Sequence, residues 1–159
     1  MRSLIAAALL AATPLVPATA ATWTVDPARS TITFTGSQTG QTFSGRFKSF
    51  TAQIDFDPAS PAAGHALVTV DTGSAVTGDP QKDEALPGAD WFDTSGFPKA
   101  TFEATGFKAL GGDKYEAEGI LTIRDVKKPL TLPFTLTTSG DTAHAVGEVQ
   151  LSRSDFGVG

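Results

Sequence analysis

The sequence predicts an all-β domain of seven or eight antiparallel strands. Three observations carry this reading. Apolar and polar residues alternate with a period of two along most of the chain, turn signals rich in Gly, Asp and Ser recur at strand-length spacing, and only one short segment reads as helix. The clearest stretch is Gly119 to Leu136. On its first strand Ala117, Gly119, Leu121 and Ile123 share one face, and Glu116, Glu118, Thr122 and Arg124 share the other. On its second, Leu130, Leu132, Phe134 and Leu136 alternate with Thr131, Pro133, Thr135 and Thr137. One apolar face per strand marks a half-buried antiparallel hairpin. Pro133 cannot donate to a ladder, so it marks a bulge or an edge.

The other elements follow in chain order. Trp23 to Val25 forms a short strand before Asp26-Pro27, and Thr31 to Gly36 alternates with Ile32 and Phe34 on one face. A Gly-rich link spans Gly36 to Gly40. Phe43 to Phe56 is a long run whose phase changes, with Phe47 in one phase and Phe50, Ala52, Ile54 and Phe56 in the other. That change predicts a bulge near Lys48-Ser49. Ala66 to Ser74 carries Val68, Val70 and Thr72 in phase. Thr77 to Pro98 breaks the pattern and reads as a long crossover. In it Asp79 caps a short helix with Pro80 at the first position, and a Trp91-Phe92 plug follows. Strands resume at Ala100 to Lys108 and Lys114 to Arg124, joined through Gly111-Gly112-Asp113. After the hairpin, Ser139-Gly140-Asp141 makes a turn and Ala145 to Arg153 reads as a last strand, with Ala145, Gly147, Val149 and Leu151 in phase. Such a helix-poor meander closes as a barrel or packs as a sandwich.

Residues 1–20 read as a signal peptide: Arg2, an apolar run from Leu4 to Ala12, and a small-x-small site at Ala18-Thr19-Ala20. The mature domain then starts at Ala21, and the expected location is the periplasm, or outside the cell. The apolar run is too short to span a bilayer. There is no cysteine, which excludes a disulfide framework, thiol catalysis and zinc–thiolate sites. Without Arg2 the chain holds eleven basic and seventeen acidic residues, a net charge of −6 with neutral His. That argues against nucleic acid and anionic membrane surfaces as partners.

Several motifs, in order along the chain, resemble one family. They are Trp23-Thr-Val-Asp-Pro, Ile32-x-Phe34, Gly45-Arg-Phe47, Ile54-x-Phe56-Asp57-Pro58, Trp91-Phe92-Asp93, Phe97-Pro98-x-Ala100-x-Phe102, Leu121-Thr-Ile-Arg and Arg153-Ser-Asp-Phe-Gly-Val-Gly. Together they look like the YceI-like, polyisoprenoid-binding family, over essentially all of the mature chain. Gly36-Ser-Gln and Asp71-Thr-Gly-Ser74 look closest to a subgroup found beside, or fused to, cytochrome b561-like membrane domains. The resemblance implies a lipocalin-like antiparallel β-barrel of about eight strands, with a short helix in the crossover. It also implies an apolar interior that holds a long-chain amphiphile, with no cofactor and no catalytic residues. Asp125 stands where the family commonly has Gly, so the turn is expected to take another backbone form. The family usually continues through a final strand after Gly159, so the expected barrel lacks its last strand and carries two unpaired edges.

The candidate site is the set of apolar residues in the inward phases. From the first half of the chain these are Ile32, Phe34, Phe47, Ile54, Phe56, Val68 and Val70, with Trp91 and Phe92 as a lid. From the second half they are Phe102, Leu121, Ile123, Leu130, Leu132, Phe134, Val149 and Leu151. Small in-phase residues (Ala117, Gly119, Ala145, Gly147) leave room that larger ones would occupy. A filled core is the competing reading, since a barrel of eight strands is narrow. His65 and His144 sit at polar strand ends without metal-ligand spacing. Asp79, Asp83, Glu84, Asp90 and Asp93 lack the alternation of a calcium loop and read as solvated or helix-capping. Lys127-Lys128 reads as a solvated turn, with contact to a phosphate head group at a barrel mouth as the alternative. No nucleophile elbow or phosphate loop is present.

The expected function is binding or carriage of a long-chain apolar ligand, a polyisoprenoid, quinone or fatty-acid derivative. The alternative is a stress-related or redox-partner interaction module with a filled core, and an enzyme is not expected. A homodimer and a cytochrome b561-like membrane partner stay open.

Overall fold

The computed structural model describes residues 21–159; the signal-peptide reading lies outside the described residues. Ten strands form in place of about eight, because two long runs bend and split. They are β1 (Thr22–Thr24), β2 (Ile32–Gln38), β3 (Gln41–Phe47), β4 (Phe50–Asp55), β5 (His65–Asp71), β6 (Ala75–Val76), β7 (Lys99–Gly111), β8 (Lys114–Ile123), β9 (Val126–Ser139) and β10 (Thr142–Gly147). One α-helix, α1 (Pro80–Ala85), lies in the crossover. Seven strands pair in the order β1-β4-β5-β7-β8-β9-β10, and three pair in the order β2-β3-β6. Every pairing is antiparallel. The result is a lipocalin-like half-barrel, curled but open, with β1 and β10 at the edges of the larger sheet and β2 and β6 at those of the smaller.

The phase change in the Phe43–Phe56 run is a corner. β3 leaves the small sheet at Lys48-Ser49 and continues as β4 in the large one, while β5 passes through Thr72–Ser74 into β6. The Ser74 hydroxyl accepts from the Ser49 amide at 3.0 Å and donates to the Asp71 carbonyl at 2.7 Å. Asp71 N–H donates to the Ser49 carbonyl at 3.0 Å. Both bent strands are thus tied at the same point, so the two sheets turn together.

The supposed Gly-rich link from Gly36 to Gly40 is instead the end of a strand. β2 runs to Gln38, and the turn is Thr39-Gly40, with φ of 50° and 79°. Gly36 faces Phe43 and Phe34 faces Gly45 across β2 and β3. A β-carbon at Gly36 would lie 2.6 Å from the Phe43 ring, and one at Gly45 would overlap the Phe34 ring. Each glycine is the floor for the opposite ring.

The long hairpin forms in the expected phase. Tyr115 pairs Phe134, Ala117 pairs Leu132 and Gly119 pairs Leu130. Its turn, Arg124-Asp125, takes positive φ at both residues, 51° and 60°. That is the pattern of the two-residue turns whose twist suits a hairpin, reached here without glycine. The expected last strand from Ala145 to Arg153 ends early, at Gly147. Continued register would set Glu148 opposite Pro133, because Gly147 already faces Phe134. The Pro133 carbonyl points toward Gly147, 2.8 Å from a β-carbon placed there, so Pro133 has no N–H to offer on that side. The ladder stops where its donor is missing. Residues beyond it fold back as a 3₁₀ turn, Arg153–Phe156.

The tightest seam joins β7 and β8. The register shifts between Ala104 and Gly106, a bulge, and Gly119 sits opposite Ala104. A β-carbon on Gly119 would overlap the Glu103 carbonyl oxygen and lie 2.8 Å from the Ala104 α-carbon. Both obstacles are backbone, so neither can swing away. We predict that Gly119→Ala destabilises the domain by about 3 kcal/mol, the upper range for overpacking. Urea unfolding checks this; a midpoint within error of wild type would contradict the seam.

Candidate functional site

Register partners on antiparallel strands point to the same side of a sheet, so the inner face can be read row by row. One row is Trp23, Ile54, Ala66, Ala104, Gly119 and Leu130. The next is Ala52, Val68, Phe102, Leu121 and Lys128. Small side chains (Ala66, Ala104 and Gly119) stand at the middle of the first row. Ala104 is only 1% exposed.

At one end of the face the core is filled by rings. Phe56, Phe107, Tyr115 and Phe134 touch one another with centroids 5.0–6.5 Å apart. Ile54, Phe102 and Leu132 pack against them, and the Trp23 indole N–H donates to the Phe56 carbonyl at 2.9 Å. At the other end a second set forms. Phe34 lies 6.5 Å from Phe43 and 5.2 Å from Phe47, and Phe47 lies 5.7 Å from Phe92. Ile32 pairs Phe47 across the β2–β3 ladder.

Between these sets Val68, Val70, Leu121, Ile123 and Leu130 are half-buried rather than enclosed. Two hollows open at the margins. One, of about 240 Å³, is lined by Gln38, Phe43, Gln81, Lys82, Ala85, Leu86 and Trp91. The other, of about 300 Å³, lies between β8, β9 and the C-terminal segment, lined by Leu121, Lys128, Pro129, Leu130, Gln150, Leu151, Ser152, Asp155 and Phe156. Leu151 therefore lines a hollow although it is 48% exposed, and Val149 is exposed at 36%.

The sequence reading missed several members of this face. Phe107 stands out of phase because the bulge at Ala104/Gly106 inserts one residue, so alternation counted from Phe102 puts it outside. Tyr115 was legible, two residues before Ala117 in the same phase. Phe43 is in phase with Phe47, and Phe156, 5% exposed, lies in a 3₁₀ turn that no period-two pattern reports.

The crossover is fixed by charged groups. Asp79 accepts from the Gln81 and Lys82 amides, capping α1, and pairs with the Lys82 ammonium at 2.6 Å. Lys82 lies 5.8 Å from the Phe43 ring centroid. Asp83 accepts from the Thr77 hydroxyl at 2.7 Å, the Thr77 amide at 2.6 Å and the Gly78 amide at 3.3 Å. The Lys82 ammonium above all holds Asp79 below the ordinary carboxyl value of 3.8, and the Thr77 hydroxyl above all does the same for Asp83. Part of the acidic cluster is therefore cap and loop structure. His65 is exposed and meets Glu103 at 3.1 Å.

Arg124 ties three segments together. Its guanidinium donates to the Trp91 carbonyl at 3.1 Å and to the Gly157 carbonyl, and lies 5.9 Å from the Phe97 ring centroid. Arg153 adds a second clasp, 5.2 Å from the Trp91 ring, and donates to the Val158 carbonyl. The crossover is thus held by two arginines.

The YceI-like domain family matches residues 23–159. The chain belongs to the YceI-like family. A UPF0312 protein of Shewanella baltica is 35% identical over 155 residues, covering 94% of this chain and 76% of that protein. Among solved structures, Burkholderia cenocepacia BcnA superposes with a TM-score of 0.81 at 38% identity, covering 85% of each chain. A polyisoprenoid binding domain from Saccharophagus degradans, implicated in plant cell wall breakdown, superposes at 0.62 with 17% identity, over 79% of this chain and 74% of that one. At that identity the likeness shows the fold.

Two predictions follow from the crossover and its clasp. Arg124→Gly relaxes a left-handed position yet removes two charge-assisted hydrogen bonds, so the loss should win by about 2 kcal/mol. The expected result is a lower urea midpoint with a red-shifted Trp emission; an unchanged or higher midpoint refutes the clasp. For Asp83 the folded pKa is depressed, so its contribution is present above the ordinary carboxyl value and is lost as pH falls through the folded value. Asp83→Asn should melt below wild type at about pH 5, and the gap should narrow as pH falls below the ordinary carboxyl value. A gap independent of pH in thermal melts would contradict this assignment.

Proposed function

We propose that this YceI-like protein binds and carries a long-chain apolar ligand in the periplasm, and that the ligand is a polyisoprenoid, a quinone or a fatty-acid derivative. One observation carries the reading: a continuous apolar face is left half-buried between two aromatic sets, with Val68, Phe102 and Leu121 side by side. A filled core would have closed over these residues. The polyisoprenoid binding described for the Saccharophagus degradans domain supports the ligand class. Hollows of about 240 and 300 Å³ fall at or below the small end of ligand pockets, so a long chain lies along the trough rather than in a sealed chamber.

The driving force is removal of hydrocarbon from water, worth roughly 0.8 kcal/mol per buried CH₂. Eight methylenes would contribute about 6 kcal/mol before ordering costs, so chain length should govern affinity. The expected test result is an adduct of lipid mass in native mass spectra of protein purified from the cell envelope without detergent, and quenching of Trp emission by added prenyl lipids. A clean ligand-free mass together with no quenching would overturn the proposal.

A further inference from the structure

Resting on that reading, we infer that Lys128 holds the head group of the ligand, and that this head group is a singly charged acid such as a long-chain carboxylate. The register carries the argument. Lys128 pairs Leu121 across β8 and β9, so it belongs to the inner face, whereas Lys127 pairs Thr122 and belongs to the outer one. Lys128 ends the row Ala52, Val68, Phe102, Leu121. That row spans four inter-strand steps of about 4.8 Å, or about 19 Å of apolar track ending at an ammonium. A track of that shape matches a long tail with one charged end.

The hollow at its end supports the same assignment. Leu121, Leu130 and Phe156 form its apolar part, and Lys128, Gln150 and Ser152 supply donors. Lys128 takes part in none of the ion pairs among the described residues, so its ammonium is available. Asp155 is the other charged group lining the hollow, and it sets the charge of the guest. Lysine and aspartate together sum to zero. A singly charged head on the lysine side leaves one charge uncompensated in such a hollow, whereas a diphosphate would leave two or more beside a carboxylate and apolar walls. Lysine binds as a point charge with rotatable donors, which suits one carboxylate.

The test uses cis-parinaric acid and its methyl ester, titrated by their own fluorescence into the mature protein and its variants. Wild type should prefer the acid about tenfold, the size of one charge-assisted hydrogen bond at an accessible site. Lys128→Gln should erase that preference by lowering acid affinity to the level of the ester, and Lys128→Arg should keep it. Thermal melts confirm that each variant is folded; Lys128 is exposed, and its removal should not unfold the domain. If acid and ester bind wild type alike, or if Lys128→Gln keeps the acid preference, the head-group assignment is wrong while ligand binding stands. If neither probe binds, the head-group assignment falls, and the native mass spectra decide separately whether ligand binding stands.

Discussion

The curl of this sheet depends on one close approach of backbone to backbone, at Gly119. There β8 lies against the β7 bulge so tightly that a single methyl group has no place among the Glu103 carbonyl and the Ala104 α-carbon. The bulge sharpens the local twist of β7, and the glycine lets the neighbouring strand follow it. Everything inward depends on that turn of the sheet. Ala66, Ala104 and Gly119 lie in one row because the concave centre admits only small groups. The larger rings then meet across the hollow of the curl: Phe107 touches both Phe134 on β9 and Phe56 just after β4, although β7 pairs with neither strand. A flatter sheet would leave those rings side by side and wet.

The curl leaves the barrel open, and the open half-barrel divides its apolar residues unequally. One end is a true core, ring against ring. The other end is covered by the β2–β3 hairpin and by Phe92 from the crossover. The middle is covered by neither. An apolar face of that kind is costly to hydrate, so occupation by a hydrocarbon chain gains what a core side chain elsewhere gains on burial. The crossover lies near one margin of that face, and Arg124 and Arg153 hold it through main-chain carbonyls and aromatic rings rather than through carboxylates. Those bonds do not depend on the ionisation of an acidic partner, so they persist where the carboxyl groups of the α1 cap begin to protonate.

Much of this was legible in the sequence, for reasons that particular residues make clear. The hairpin from Gly119 to Leu136 formed in the expected phase because strict alternation admits one register; a slip by one would turn Leu130, Leu132 and Phe134 to water. The corner at Lys48-Ser49 and the capped helix after Asp79 were likewise written locally. What alternation could not show is where it is interrupted. Phe107 was lost because a bulge residue is counted like any other. The strand expected through Val149 and Leu151 alternates correctly but has no donor waiting opposite Glu148, since Pro133 occupies that position on β9. A strand needs a partner as well as a pattern, and the partner is 15 residues away along the chain. The long-range contacts of Arg124 were invisible for the same reason: nothing near it in sequence announces Trp91 or Gly157.

The turn that carries Arg124 shows how local strain and long-range support are joined. Arg124 and Asp125 both stand in the left-handed region, which costs a side-chain-bearing residue about 1–2 kcal/mol. Two glycines would make the same turn without strain, but a glycine at 124 would have no guanidinium. The strained residue is therefore also the one that joins the hairpin tip to the crossover and to the C-terminal segment. Its two hydrogen bonds and its ring contact exceed the conformational cost, so the turn is kept in shape by the segments it holds. Lys128, four residues on, stands on the same β9 strand that this turn begins. The position of a cation at the end of the apolar row is thus set by the turn, and the turn is set by Arg124.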